Sequence, residues 1–175
     1  MRFLTSEHFY QYCKAICFCD YEIARKISKA KSPLHGKHLG RKLHYFNPIV
    51  WNYIKQDVMI IANRLKFSSN THLTNTLLQT GTSKLVHAQP YDRYWGTGFS
   101  MSTTCARAIA EWPGKNHLGH ILEQIRRDMF NNKHTTLAYT QHSLLPFFDE
   151  YHREGMKYLP TLCTDFSNKV DTITV

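Results

Sequence analysis

The chain lacks any apolar run near the roughly 20 residues that a membrane span requires. Its mean hydropathy is −0.43. The opening MRFLTSEHFYQ has no continuous apolar segment and no small-residue cleavage pattern, so no secretory leader is expected there. A soluble, cytoplasmic protein with no membrane partner is the expectation. Internal repeats, low-complexity tracts and Gly/Ser linkers are also missing, which predicts one domain over residues 1–175. Cysteine is sparse and odd in number: Cys13, Cys17, Cys19, Cys105 and Cys163 do not form the framework of a small secreted protein, so reduced thiols are expected. Cys13, Cys17 and Cys19, with His8 upstream, match no zinc-ligand spacing. His117 and His120 lack an evident third ligand. No metal and no cofactor are expected.

What is present is positive charge. With 22 Lys and Arg against 13 Asp and Glu, the formal net charge is +9 and the pI about 9.4. Such a balance implies an acidic partner, either a phosphorylated small molecule or nucleic acid, and its sign does not choose between them. The cations are interspersed, as in KISKAKSPLHGKHLGRKLH, and no block of five or six like charges occurs. At 175 residues the chain is long enough to bury a single core.

Helices dominate the pattern. Ser6 is placed to cap a helix through about Phe18, and Asp20 a second through about Ala30, ended by Ser32-Pro33. Asn47-Pro48, a cap followed by a first-turn proline, predicts a long helix through about Lys66 with Val50, Ile54, Val58, Ile61 and Leu65 on one stripe. Asn70 opens another, which Gly81 is placed to end in a left-handed cap, and a further helix fits His117 to Phe130. Between them Lys84 to Gln89 reads as a short strand, and Tyr91 to Thr104 as a loop of aromatics, Gly, Ser and Thr. Beyond Asn131 the pattern predicts a helix around Leu144 to Arg153 and strands at Met156 to Pro160 and Asp171 to Val175. The fold class is α+β: a helix-rich single domain with a small β-sheet.

Three features carry chemistry. Glu7, Gln11 and Lys14 share one face of the first helix at i, i+4 and i+7; a carboxylate, an amide and an ammonium in that pattern also suit an exposed face stitched by side-chain pairs. Trp95, in YDRYWGTG, lies beside glycines that let the backbone approach a planar ring while the indole offers a face to stack on. Trp51 follows the proline of the long helix by a few positions and fits either a stacking role or the core.

The ordered segments SEHFYQYCKA, SPLHGKHLGRKL, Trp51 followed by Met59 and KFSSN, then LLQTG, YDRYWGTG and NHLGHILEQIR resemble the successive motifs of the NADAR (YbiA-like) family. The resemblance covers about residues 3–130. It implies a YbiA-like fold and hydrolysis of an N-glycosidic bond, with family substrates ranging from phosphoribosylaminopyrimidines of riboflavin synthesis to ADP-ribose on guanine in nucleic acid. Carried over by motif, Glu7 matches the acid of EH-x-YQ, Lys14 its later lysine, and Gly40-Arg41 the GR pair. Trp51 matches the family tryptophan, Asp92, Trp95 and Gly96 match D-x-x-WG, and Asn116 belongs to N-x-LG. Glu7 and Asp92 are thereby the expected catalytic carboxylates; Lys14, Gly40, Arg41, Trp51, Trp95, Gly96 and Asn116 are expected to bind substrate. A non-catalytic module binding ADP-ribose or a nucleotide is the alternative of a different class.

The family's F-S-N strand is missing ahead of the EH helix, yet TDFSNKVDTITV stands at the other end. Joining Val175 to Met1 would restore the family order. This predicts a circular permutation in which residues 156–175 supply strands beside the N-terminal strand and Asn168 completes the substrate site.

Overall fold

The computed structural model describes residues 2–131, which fall in two compact units, one running to Ser69 and one starting at Asn70. The first is built on α1 (Ser6–Cys17), against which α2 (Tyr21–Ser28), α3 (Pro33–Gly40) and α4 (Pro48–Ser68) all pack. Each helix begins on a side-chain cap. Thr5, rather than Ser6, caps α1 by accepting from the His8 N–H; Asp20 receives Ile23, Ser32 receives His35, and Asn47 receives Ile49 and Val50. Ser32-Pro33 therefore does not merely end α2. It opens α3, an element the sequence pattern did not predict, with proline in the first turn, where its missing N–H costs nothing.

The core of this unit is the seam of α1 with α4. Phe9, Ile54 and Val58 are fully buried, and Ile61 and Ala62 extend the α4 stripe. Truncating a side chain such as Ile54 to alanine would cost about 2–5 kcal/mol through lost transfer energy and the cavity left behind. Cys13 and Cys17 are buried free thiols, and Cys105 is an exposed one. Cys19 departs from the expected reduced state: it is disulfide-bonded. It sits half-exposed in the turn after α1, at φ 56, and so escapes the core that encloses Cys13 and Cys17.

In the second unit α5 (Thr71–Gln79) packs on α7 (His117–Phe130), with α6 (Met101–Ala106) and a turn of 3₁₀ helix (Ile109–Glu111) between them in sequence. Leu77 of α5 and the apolar stripe Ile121, Ile125 and Met129 of α7 are buried. Gly81 has φ 55 just past α5, the left-handed ending expected of it.

The strand predicted at Lys84 to Gln89 does not form. Distant side chains supply partners that a neighbouring strand would offer: Leu85 N–H donates to Glu123 Oε1 at 2.8 Å, His87 N–H donates to Asn116 Oδ1 at 2.9 Å, and Leu85 C=O accepts from Asn116 Nδ2 at 2.9 Å. Among the described residues no strand is present; Pro90 and Gly98 make an isolated parallel bridge. The helix expected at Leu144 to Arg153, the strands at Met156 to Pro160 and Asp171 to Val175, Asn168, and with them the circular permutation, lie outside the described residues. Among the described residues no helix is long and apolar enough to cross a membrane.

Candidate active site

In the first unit the α1 stripe forms as its spacing predicts, but it is not an open face. Gln11 is buried under the end of α3, and its Nε2 donates to Glu7 Oε1 at 2.9 Å. The other amide atom, Gln11 Oε1, is buried with no hydrogen-bond partner. Gly40 is what admits it: a Cβ at position 40 would collide with Oε1. Glycine stands here for room.

Lys14 closes the cluster from the next turn. Its Nζ donates to Gly40 C=O at 3.1 Å and stands 3.9 Å over the centroid of the Phe46 ring. Burial holds the Lys14 ammonium below its usual range; the Glu7 carboxylate opposes that shift and the Arg41 guanidinium adds to it. Arg41 caps the C-terminus of α3 and is exposed. The structure thus brings together Glu7, Lys14, Gly40 and Arg41, and adds Gln11 and Phe46. Gln11 was legible as part of the EH-x-YQ string. Phe46 had no signal in the sequence, because a loop places it against Lys14.

Trp51 belongs elsewhere. It is 4% exposed, its indole N–H donates to Tyr10 Oη at 3.0 Å, and the two rings meet edge to face at 5.1 Å. The stacking role expected of Trp51 gives way to packing: a ring enclosed this way holds α4 against α1 and presents no face to a base.

In the second unit the D-x-x-WG and N-x-LG strings are two halves of one backbone lock. The carbonyls of Arg93, Tyr94, Trp95, Gly96 and Thr97 accept from the N–H groups of Lys115, His117, Leu118, Asn116 and Gly114 at 2.9–3.3 Å. The first turn of α7 is therefore capped by loop carbonyls rather than by a side chain. Asn116 sits at φ 49, is 2% exposed, and spends its amide on Leu85 and His87. Gly96 admits no Cβ, which would run into His87 C=O. In this structure both residues serve the fold of the loop against α7. Asp92 Oδ1 accepts from the Tyr94 and Trp95 N–H groups at 3.2 and 2.8 Å, a local turn that orients the half-buried Trp95. The Trp95 ring stands edge to face with Tyr94 at 4.9 Å.

Comparison with known proteins places these features in a family. The model of the NADAR domain matches residues 1–130. N-glycosidase R617 of Acanthamoeba polyphaga mimivirus is 36% identical over 126 residues, which is 72% of this chain and 74% of that protein. N-glycosidase YbiA of Escherichia coli (strain K12) is 32% identical over 125 residues, covering 71% and 69% respectively. The NMR structure of E. coli YbiA superposes with a TM-score of 0.59 at 31% identity, covering 73% of this chain and 68% of that one. The chain belongs to the NADAR family.

Proposed function

We propose that the protein is a hydrolase of N-glycosyl bonds, acting on a phosphorylated ribosyl or ADP-ribosyl compound. The observation that carries this reading is the Glu7 cluster: a half-buried carboxylate held by Gln11, with Lys14 and Arg41 close enough to perturb one another. Breaking a C–N glycosidic bond builds positive charge on the ribose ring, and a fixed carboxylate near the anomeric carbon stabilises it. Glu7 takes that role. Its position is set by the Gln11 amide, which leaves the second carboxylate oxygen for the reacting centre or its water. Lys14 and Arg41 pair with phosphate, the guanidinium fork being suited to two phosphate oxygens. Asp92 keeps the role that the family pattern gives it, orienting water or ribose hydroxyls, and Trp95 that of stacking on the base. The names of the mimivirus and bacterial relatives carry the same enzyme class.

For the finer substrate, our reading is ADP-ribose on guanine in nucleic acid. Two observations favour it: the +9 charge, which a polyanion rewards, and the exposure of Tyr45, Ile49 and Tyr53 beside the basic run that includes Arg41 and Lys42. Exposed tyrosines in a segment that follows a run of cations suit a single strand. The test is to incubate the protein with DNA carrying ADP-ribosylated guanosine, with NAD, with ADP-ribose and with a phosphoribosylaminopyrimidine, and to follow release of base. Release from the modified DNA, abolished in Glu7→Gln, is expected. Release from the pyrimidine alone would replace the polymer substrate by the small one, and binding without release from any of them would leave a non-catalytic module.

A further inference from the structure

The second unit carries a cavity of about 570 Å³ whose lining includes Leu78, Gly81, Lys84, Glu123, Arg126 and Arg127. None of these residues belongs to the Glu7 cluster. Arg126 is the anomaly. It is 7% exposed, yet among the described residues its guanidinium makes one side-chain hydrogen bond, Nη1 to the neutral Thr80 Oγ1 at 2.6 Å, and no ion pair. A guanidinium carries a charge and five N–H donors; with one donor on Thr80 and no carboxylate paired with it among the described residues, the remaining donors are left to the cavity that Arg126 lines. The one carboxylate of the lining does not repair this. Glu123 Oε1 accepts from Leu85 N–H at 2.8 Å and lies 3.9 Å from Lys84 Nζ. Arg127, exposed on the next position of α7, adds a third cation.

The geometry points to an anion site here, for a ligand of the nucleoside-phosphate class. A phosphate held by Arg126, with Lys84 and Arg127 around it, supplies the missing countercharge. The cavity exceeds what a lone phosphate needs and falls in the range of small organic ligands, roughly 300–1,000 Å³. Leu78 and Phe130, the latter 79% exposed at the edge, offer apolar surface for a planar group.

The test uses the isotopically labelled full chain and three probes, AMP, adenosine and inorganic phosphate, with amide shifts read residue by residue. AMP is expected to move Gly81, Thr82, Lys84, Arg126, Arg127 and Phe130 saturably, while adenosine leaves them in place and phosphate binds more weakly. The exposed pair Lys84→Gln and Arg127→Gln should weaken AMP at these amides by about tenfold or more without touching base release, and Glu7→Gln should leave AMP binding here unchanged. AMP shifts confined to other residues, or full affinity in the double variant, would overturn the site. Phosphate binding as tightly as AMP would overturn the nucleoside part of it.

Discussion

The α1 stripe and the Trp95–Gly96 loop are both family motifs, but they use their polar groups in opposite ways. On α1, Glu7 gives one oxygen to Gln11, while Gln11 itself keeps a buried oxygen unpaired beside Gly40. In the loop region Asn116 has spent both amide atoms on Leu85 and His87, and the carbonyls from Arg93 to Thr97 are taken up by the residues leading into α7. A motif residue with spare hydrogen-bonding capacity is available to a substrate. One whose amide atoms are both held by the backbone, as in Asn116, is positioned by the fold. A buried unpaired polar atom costs about 1–3 kcal/mol; Gln11 Oε1 carries that cost beside Glu7, and the two amide atoms of Asn116 do not.

That contrast can be broken most directly by comparing Glu7→Gln with Asn116→Ala. Glu7→Gln should lower turnover by about 10²- to 10⁴-fold, the range of acid–base and carboxylate contributions, with unfolding free energy changed by no more than about 0.5 kcal/mol. Asn116→Ala should do the reverse. It orphans the part-buried Leu85 C=O and His87 N–H and leaves a Cβ at φ 49 without the amide that holds it there, costing about 1–3 kcal/mol in denaturant unfolding. Asn116→Gly should recover about 1 kcal/mol of that, the part due to backbone conformation alone. An Asn116→Ala protein as stable as the parent but inactive would place Asn116 in the substrate site and erase the distinction.

Gly40→Ala tests the closeness of α3 to α1. Its methyl group meets Gln11 Oε1 and must displace the amide that holds Glu7, so a loss of about 1–3 kcal/mol is expected, together with weaker turnover. Adding Gln11→Ala should restore stability and leave turnover low. Additive losses in the double-mutant cycle would show that the two positions do not share a contact.

Much of this was legible in the sequence wherever the physics is local. The caps Asp20, Asn47 and Asn70 act on N–H groups two or three residues away, and the starts of α2, α4 and α5 follow from them and from the apolar spacing. Thr5 and Ser6 are both capping residues in succession, and the choice between them rests on which hydroxyl reaches His8. α3 was missed because Ser-Pro serves equally as a stop and as a start. The strand expected at Lys84 to Gln89 failed for a distant reason: Asn116 and Glu123, far along the chain, satisfy its backbone. The same holds for the site. Glu7, Gln11 and Lys14 share a face by helical arithmetic, whereas the enclosure of Trp51 by Tyr10 and the seat of Lys14 on Phe46 are tertiary events without a local signature.

The smallest expected effect tests whether the side-chain caps of the first unit add stability that the carbonyl-capped α7 obtains from its backbone. Asp20 is buried, a situation that alone would raise its pKa; hydrogen bonds from the His44 ring and from the Ile23 and His44 N–H groups outweigh burial and hold the carboxyl below its usual range. The sign follows from that depression. The folded state binds the proton less readily than the unfolded one, so the contribution is fully present above the ordinary aspartate value of about 3.9 and fades as pH falls through the lower folded value. Asp20→Asn retains an oxygen for the Ile23 N–H but cannot be charged toward His44, whose side chain is 69% exposed. The variant should therefore be less stable by under about 1 kcal/mol at pH 7, and the difference should shrink toward zero near the acid limit of folding. Urea unfolding of the two proteins at pH 7, 5 and 3 measures it. A gap that stays constant to pH 3 would mean that the amide disrupts the turn sterically, and that the charge of Asp20 contributes nothing to the start of α2.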